Sequence, residues 1–379
     1  MSLPACQPAP ELAKPSANLP EVTLIVPIYN EADQFEANYL CLTDYLATLS
    51  GRFAFRILYI NDGSGDGSRE LLQSVEQDNP IVEVIHHHIN QGLNAALMTG
   101  FANVKTRYAV TLDADLSYSP DHIERLLDRL ISRSAHLVLA SPYMKGGRTT
   151  AVPFDRHLMS RAANWFLGRI APERLHTLTG MVRAYDMEFL RGVDLKASSM
   201  DINPEIIYKT LLLRGKVEEI PAHLDWSSLR APEQSPRRRS FGFQWNTLAI
   251  LFSGFLFRPF LFFLVPGLLM LLIAMVCTVI ALAHIPTHFD PTVTGSFLDQ
   301  LKFAIDSAYD AHGYAFVGTG ILLILAVQLL TLGVMSMQSK RYFEELFHLG
   351  TTVYRSTQKL SPNQTTAHHA SYINPNEAS

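Results

Sequence analysis

Two stretches limit what this chain can become. Residues 260–283 read FLFFLVPGLLMLLIAMVCTVIALA and residues 314–338 read YAFVGTGILLILAVQLLTLGVMSMQ, runs of 24 and 25 residues without a charge. A helix rises 1.5 Å per residue and a bilayer's hydrocarbon core is about 30 Å thick, so each run is long enough to cross it. Two buried core helices of this length with no charge at all are improbable in a soluble domain. Neither run carries an acidic, basic or histidine side chain, which makes it poor material for an ion or solute path. An anchoring hairpin is the expectation.

Lysine and arginine set the expected orientation. Arg237, Arg238, Arg239 and Arg258 precede the first run, and Lys340, Arg341 and Arg355 follow the second. The connection between the runs holds Lys302 against Asp290, Asp299, Asp306 and Asp310. Both flanks, and with them both termini, are therefore expected in the cytoplasm. The connection also shows apolar spacing (FLDQLKFAIDSAYDAHGY) that suits a short helix on the outer surface. Before the first run, SFGFQWNTLAILFSGFLFRPF suits either an interfacial amphipathic helix or an extension of the span.

A chain of 379 residues is long enough for two or more structural units, and its net charge of −4 leaves no basic surplus for a general nucleic-acid binder. Cys6, Cys41 and Cys277 lie far apart in unlike surroundings, so no disulfide framework is expected. The Pro- and Ala-rich start has no continuous apolar core of a signal peptide and reads as a disordered lead-in over 1–20. The expected layout continues with a cytosolic catalytic domain over 21–232 and a juxtamembrane segment over 233–258. The hairpin follows over 259–338, then a cytosolic tail over 339–379, disordered after about 361.

Within 21–232, short β-branched runs alternate with helical ones. Strands are expected at 22–29, 55–60, 81–86, 108–115 and 136–143, with helices at 35–49, 68–77, 93–104 and 120–133. Apolar strands with helical crossovers imply a buried, mostly parallel α/β sheet with helices on both faces. Ligands of such sheets bind beyond the carboxyl ends of the strands. There the second strand runs into YINDGSGDG and the fourth into LDAD, so Asp113 and Asp115 sit two residues apart. On a strand, side chains at that spacing point the same way, and like charges so close call for a cation.

Familiar nucleotide motifs do not fit. No G-x-G-x-x-G follows the first strand and no Walker lysine is present. DGSGDG invites an EF-hand reading, yet Gln73 stands where that loop needs glutamate. A receiver-type phosphorylated aspartate would leave the hairpin without a purpose. His86, His87 and His88 are read as strand-end residues, because neighbours on a strand point to opposite faces.

The blocks VPIYNEADQF (26–35), INDGSGDGS (60–68), NQGLNAAL (90–97), DADLS (113–117) and LTGMVRAY (178–185) together resemble family 2 glycosyltransferases of GT-A fold. The hairpin makes the chain similar to the polyprenyl-phosphate branch of that family, over residues 20 to 340 or so. The resemblance implies transfer, with inversion, from a UDP- or GDP-linked sugar to undecaprenyl or dolichyl phosphate at the cytoplasmic membrane face. It implies Mg2+ or Mn2+ held by Asp113 and Asp115, with Ser117 where relatives often have a glutamine ligand. Pro27, Tyr29, Asn30, Glu31, Asp62, Asn90, Gly92 and Ala114 match its nucleotide-sugar site, Asp62 as the reader of the base. Arg156 and Ser160 match its acceptor-phosphate pair, and Lys145 and Arg148 precede them on a glycine-containing loop suited to closing over the donor. Asp115 and Arg156 are the catalytic candidates.

Three departures stand out. Pro142 replaces an arginine of many relatives, Ser117 is shorter than the usual ligand, and His176 stands at a usual aspartate. Arg183 is a candidate for the charge thus lost, and the arginines at 237–239 suit anionic lipid heads. The rival readings are a processive polysaccharide or glycolipid synthase and a non-catalytic scaffold anchored in the membrane. The first expects a Q-x-x-R-W block and more spans than this chain has; the second sits badly with two retained aspartates. A homo-oligomer is left open.

Overall fold

The computed structural model describes residues 19–154, 157–158, 160–161, 164–165, 175–195, 202–227, 258, 260–288 and 296–360. Two compact units emerge, one formed by Met1–Phe257 with Phe347–Ser379 and one by Arg258–Leu346. Arg156, the arginines at 237–239, most of the 233–258 segment and the two ends, 1–18 and 361–379, lie outside the described residues.

The first unit opens on β1 (Glu21–Ile28), α1 (Ala32–Thr48), β2 (Ala54–Asn61), α2 (Ser68–Asp78), β3 (Val82–His86), α3 (Leu93–Asn103) and β4 (Tyr108–Thr111). It continues through α4 (Asp121–Ser132), β5 (Leu137–Ser141), β6 (Arg148–Thr150), β7 (Arg183–Asp186), α5 (Met187–Leu190), α6 (Ile202–Leu212), β8 (Val217–Pro221) and β9 (His223–Asp225). Seven strands form one sheet in the order β3-β2-β1-β4-β7-β5-β8, with β6 and β9 paired apart. All pairs in the large sheet are parallel except those of β7, which runs against β4 and β5. Consecutive α/β crossovers account for the parallel half; β7 enters from a long excursion and reverses direction.

Alternation along β1 divides the core in two. Val22, Leu24, Val26 and Ile28 face α1, α2 and α4 through Phe35, Leu42, Leu46, Leu72, Ile123 and Leu127, all buried. Ile25 faces α3, where Gly100 lets the helix come so close that an added Cβ would press on the Ile25 side chain. On that same face Phe101 of α3 meets Tyr185 of β7 edge-on at 5.0 Å. The helices therefore cover both faces, as the alternation of runs predicts.

Two expectations need correction. The fourth strand ends at Thr111, not at 115, so Asp113 and Asp115 stand in the turn beyond it. That turn is closed by Leu116 at φ 47° and by its N–H to the Asp113 carbonyl at 3.2 Å. Strand alternation is thus not what brings the two carboxylates together.

In the second unit, α7 (Leu261–His284) is one candidate span, and the other lies in α8 (Phe297–Leu360), a helix of 64 residues. Leu261–Ala283 and Gly313–Val353 are long and apolar enough to cross a membrane. The apolar stretch 297–313 is not a separate outer helix; it runs without a break into the second span. Its helical spacing simply continues, with no proline or glycine pair to stop it before the span begins.

Candidate active site

The carboxyl ends of β1, β2 and β3 converge on one group of the expected residues. Asn30, at φ 55°, donates its N–H to Ser64 Oγ at 3.0 Å, and its own side chain accepts from Gly65 N at 2.9 Å. The Glu31 N–H reaches Ser68 Oγ at 3.1 Å. Asp62 is buried, and its carboxylate accepts from Gln91 N at 2.9 Å and Gly92 N at 2.8 Å at the start of α3. Gly63 (φ +69°) makes this closure feasible, since an added Cβ would collide with the backbone of Ile89 and Asn90. Pro27 is half-buried, while Tyr29 and Asn90 are exposed at the rim. Among the His run, His87 bonds Asp62 whereas His86 bonds Asn61, so the two imidazoles serve different partners.

A second group surrounds a cavity of about 240 Å³ lined by Asp113, Asp115, Ser117, Tyr143, Ser160, Thr179 and Trp226, among others. The carboxyl of Asp113 is pushed up to about 7, first by burial and then by the charge of Asp115. The Ser117 hydroxyl opposes that rise by bonding Asp113, and Ser117 N also donates to Asp115 Oδ1 at 2.9 Å. Two carboxylates that resist joint ionisation are the condition a divalent cation relieves. Their hard oxygens suit Mg2+ or Mn2+. Among the described residues no third acidic, histidine or cysteine side chain joins them. A cation held here would therefore draw its remaining oxygens from water or ligand. Ala114 places its carbonyl 3.0 Å from Asn38 Nδ2 on α1, tying the turn to the domain.

Ser160 faces the same cavity and is joined to it by side chains that the sequence did not single out. Tyr143 donates its hydroxyl to Ser160 Oγ at 2.8 Å. The buried Asn164 donates to the Ser160 carbonyl at 2.9 Å and accepts from Leu178 N at 2.7 Å. Thr177 and Thr179 supply the opposite wall. Polar residues spaced through helix and loop give no local signal of this, since their meeting depends on the tertiary fold. Lys145, on the segment between β5 and β6, and Arg148, the first residue of β6, are exposed and do not line the cavity.

Arg183 does not face the cavity as a free cation. It is buried and donates from Nε to the Gly180 carbonyl at 2.6 Å, and from its two terminal nitrogens to Leu178 (2.6 Å) and Asn203 (2.9 Å). Its charge is spent shaping the loop behind the wall. His176 is held by Glu219 of β8, which accepts from His176 Nδ1 at 2.8 Å and from the N–H groups of His176 and Thr177 at 3.0 and 2.9 Å. Glu219, Asn164 and Tyr143 are the positioning residues that sequence reasoning missed.

The mostly parallel α/β domain thus carries an acidic turn at a strand end with a hydroxyl-rich cavity beside it. Residues 23–193 match the family described as Glycosyl transferase family 2. The chain is 30% identical over 204 residues to a dolichol-phosphate mannosyltransferase of Pyrococcus furiosus, covering 53% of this chain and 55% of that one. It is 28% identical over 206 residues to an undecaprenyl-phosphate mannosyltransferase of Micrococcus luteus, covering 53% and 82%. It thus spans little more than half the length of the first of these relatives. Among solved structures, a mannosyltransferase of Pyrobaculum calidifontis in complex with GDP-mannose and Mn2+ is similar with a TM-score of 0.43 and 14% identity, covering 94% and 91%.

Proposed function

We propose that this protein transfers one sugar from a nucleotide sugar to a polyprenyl phosphate at the cytoplasmic face of a membrane. What supports this reading is that Asp113 and Asp115, on the donor side, open into the same small cavity as Ser160, on the acceptor side. The relatives named for dolichol and undecaprenyl phosphate point to the same acceptor class.

A phosphate monoester is anionic at neutral pH, so no general base has to remove a proton from it. One phosphate oxygen attacks the anomeric carbon while the bond to the nucleoside diphosphate breaks, and the electron pair leaves on the diphosphate. A single displacement of this kind inverts the anomeric centre. The burden on the protein is to bring two anions together and hold them in line. Mg2+ or Mn2+ held by Asp113 and Asp115, with Ser117 close by, would offset negative charge on the leaving diphosphate. Pro27, Tyr29, Asn30, Glu31, Asp62, Asn90 and Gly92 bind the nucleoside end, and the Ala114 backbone completes the donor side. Ser160 and Arg156 take the acceptor phosphate, Tyr143 orients Ser160, and Lys145 and Arg148 close over the donor. Both termini and the catalytic unit lie in the cytoplasm.

Nucleotide release by the detergent-purified chain tests this, with Mn2+ or Mg2+, a panel of UDP- and GDP-sugars, and undecaprenyl or dolichyl phosphate. Release that requires both metal and lipid, and that falls at least a hundredfold in Asp115→Asn, is the expected result. A folded protein that releases nothing in response to lipid phosphate would count against the transferase and for the scaffold.

A further inference from the structure

His122, in the first turn of α4, is a buried histidine that the proposed chemistry does not use, and both of its ring nitrogens are committed. Nδ1 lies 2.8 Å from the Ser119 carbonyl, which can only accept, so Nδ1 carries the hydrogen. Nε2 is then bare and accepts from the His223 N–H at 3.1 Å. Burial holds the imidazole below its usual pKa, against the Ser119 carbonyl and Asp121, which favour the charged form. The bond matters because of what β9 carries. That strand is three residues long and pairs with the three residues of β6, and a two-stranded ribbon is marginal by itself. Toward β6, Arg148 N bonds the Ala222 carbonyl and Trp226 N the Thr150 carbonyl, each at 3.0 Å. On the other edge the Asp225 N–H goes to the Ser117 carbonyl at 2.9 Å and the His223 N–H goes to His122. An imidazole nitrogen thus stands where a further strand would present a carbonyl. Leu224 of β9 and Trp226 just after it, two residues apart, both line the cavity of Asp113, Asp115 and Ser160.

We infer that the β9 segment is a specificity-determining wall for the sugar being transferred, with Leu224 and Trp226 set against the C–H face of its ring, and that His122 is the positioning residue that holds this wall. The inference rests on the transfer reading above. A sugar that passes from a diphosphate at Asp113 and Asp115 to a phosphate at Ser160 has to occupy the cavity they share. A pyranose presents faces of C–H bonds and a rim of hydroxyls. An indole and a leucine match the first, and the hydroxyls of Ser160 and Thr179 match the second. His122 touches no substrate in this account. It acts through the His223 N–H, fixing the strand that sets Leu224 and Trp226 in the cavity.

Hydrogen exchange over 222–227 in the detergent-purified full chain reads the coupling without any substrate. The amide of His122→Asn still reaches Ser119 but stops short of His223. Exchange should then speed up about two- to tenfold, the loss of one ordinary hydrogen bond. His122→Gln, whose amide oxygen reaches the place of Nε2, should recover most of the protection. Unchanged exchange in His122→Asn would overturn the role of His122. Steady-state kinetics reads the wall. In His122→Asn the KM should rise by the same factor for whichever of the UDP- and GDP-sugars is turned over. The inhibition constant of the matching UDP or GDP, which lacks the sugar, should not change. Trp226→Ala should show the same split. Equal weakening of nucleotide sugar and free nucleotide, or a fall in kcat at constant KM, would mark a merely structural residue and overturn the inference. Should His122→Asn not fold, Trp226→Ala beside Trp226→Phe carries the test: KM rises in the first and largely returns in the second, and a KM equal to the parent's in both overturns the wall. The two readings fail separately. Exchange that responds to His122→Asn in a protein without lipid-dependent turnover removes the transferase, whereas turnover whose KM ignores both residues removes the wall alone.

Discussion

Burial and then the charge of Asp115 push the Asp113 carboxyl up to about 7 in the fold, against the ordinary 3.8 of an unfolded chain. The folded form therefore holds a proton that the unfolded form gives up, and the group costs stability above pH 4 or so. The cost grows as pH rises to about 7 and is constant beyond, with an upper limit of about 4 kcal/mol. Asp113→Asn removes this penalty. Without metal, the variant should melt above the parent protein at pH 8, with the gap closing toward pH 4. Added Mn2+ should raise the melting temperature of the parent only. A variant that melts lower than the parent at pH 8 would show that Asp113 is stabilised by something other than a cation. Arg183 behaves in the opposite sense, because its guanidinium is matched by carbonyl oxygens rather than crowded by like charge. Arg183→Lys keeps the charge but loses the planar fork, and should cost about 3 kcal/mol by chemical denaturation. Wild-type stability in that variant would contradict the structural role given to Arg183.

At the scale of elements, what was legible in the sequence was local. The strands at the core of the sheet are apolar runs bounded by turn residues, and their helices show the 3.6-residue period; both signals sit within a dozen residues. β7 was missed because RAYD is four residues long and pairs with β4 and β5 from far along the chain. β8 was missed for a related reason: VEEIP is short and acidic, and its Glu219 is inward only because the 175–181 loop lies over it. The same limit governed the site. The candidate donor residues come in short motifs, but the wall made by Tyr143, Asn164 and Thr179 exists only once helix and loop meet. Glu219 gives this a test. Glu219→Gln keeps the size of the side chain and replaces one acceptor oxygen with an NH2 donor, so the bonds to His176 and Thr177 weaken. The expected result is a several-fold rise in KM for the lipid phosphate with a smaller change in kcat, and a loss of stability near 1 kcal/mol. A fall in kcat alone would place Glu219 in the chemical step instead of in the loop.

For the whole molecule, the longest helix sets the terms. At 1.5 Å per residue the 64 residues of α8 extend about 96 Å, some three times the hydrocarbon thickness of a bilayer. Gly313–Val353 holds the apolar part, so the helix continues beyond it toward both of its ends. Charge separates those ends. The segment before the span carries Asp299, Asp306 and Asp310 with Lys302, and the segment after it carries Arg355 and Lys359. The excess of positive charge after the span favours a cytoplasmic position for that end. The proposed transfer requires the α/β domain to share that side. Single cysteines in a background without Cys6, Cys41 and Cys277 decide it. Ser356→Cys should react with a membrane-impermeant maleimide only after the membrane is opened, and Ser296→Cys should react in intact cells. Reaction of Cys at 356 in intact cells, with protection at 296, would put the tail outside and remove cytosolic nucleotide sugar as the donor. Reaction at both positions from outside would mean that α8 does not cross the membrane, leaving α7 as the sole span among the described helices.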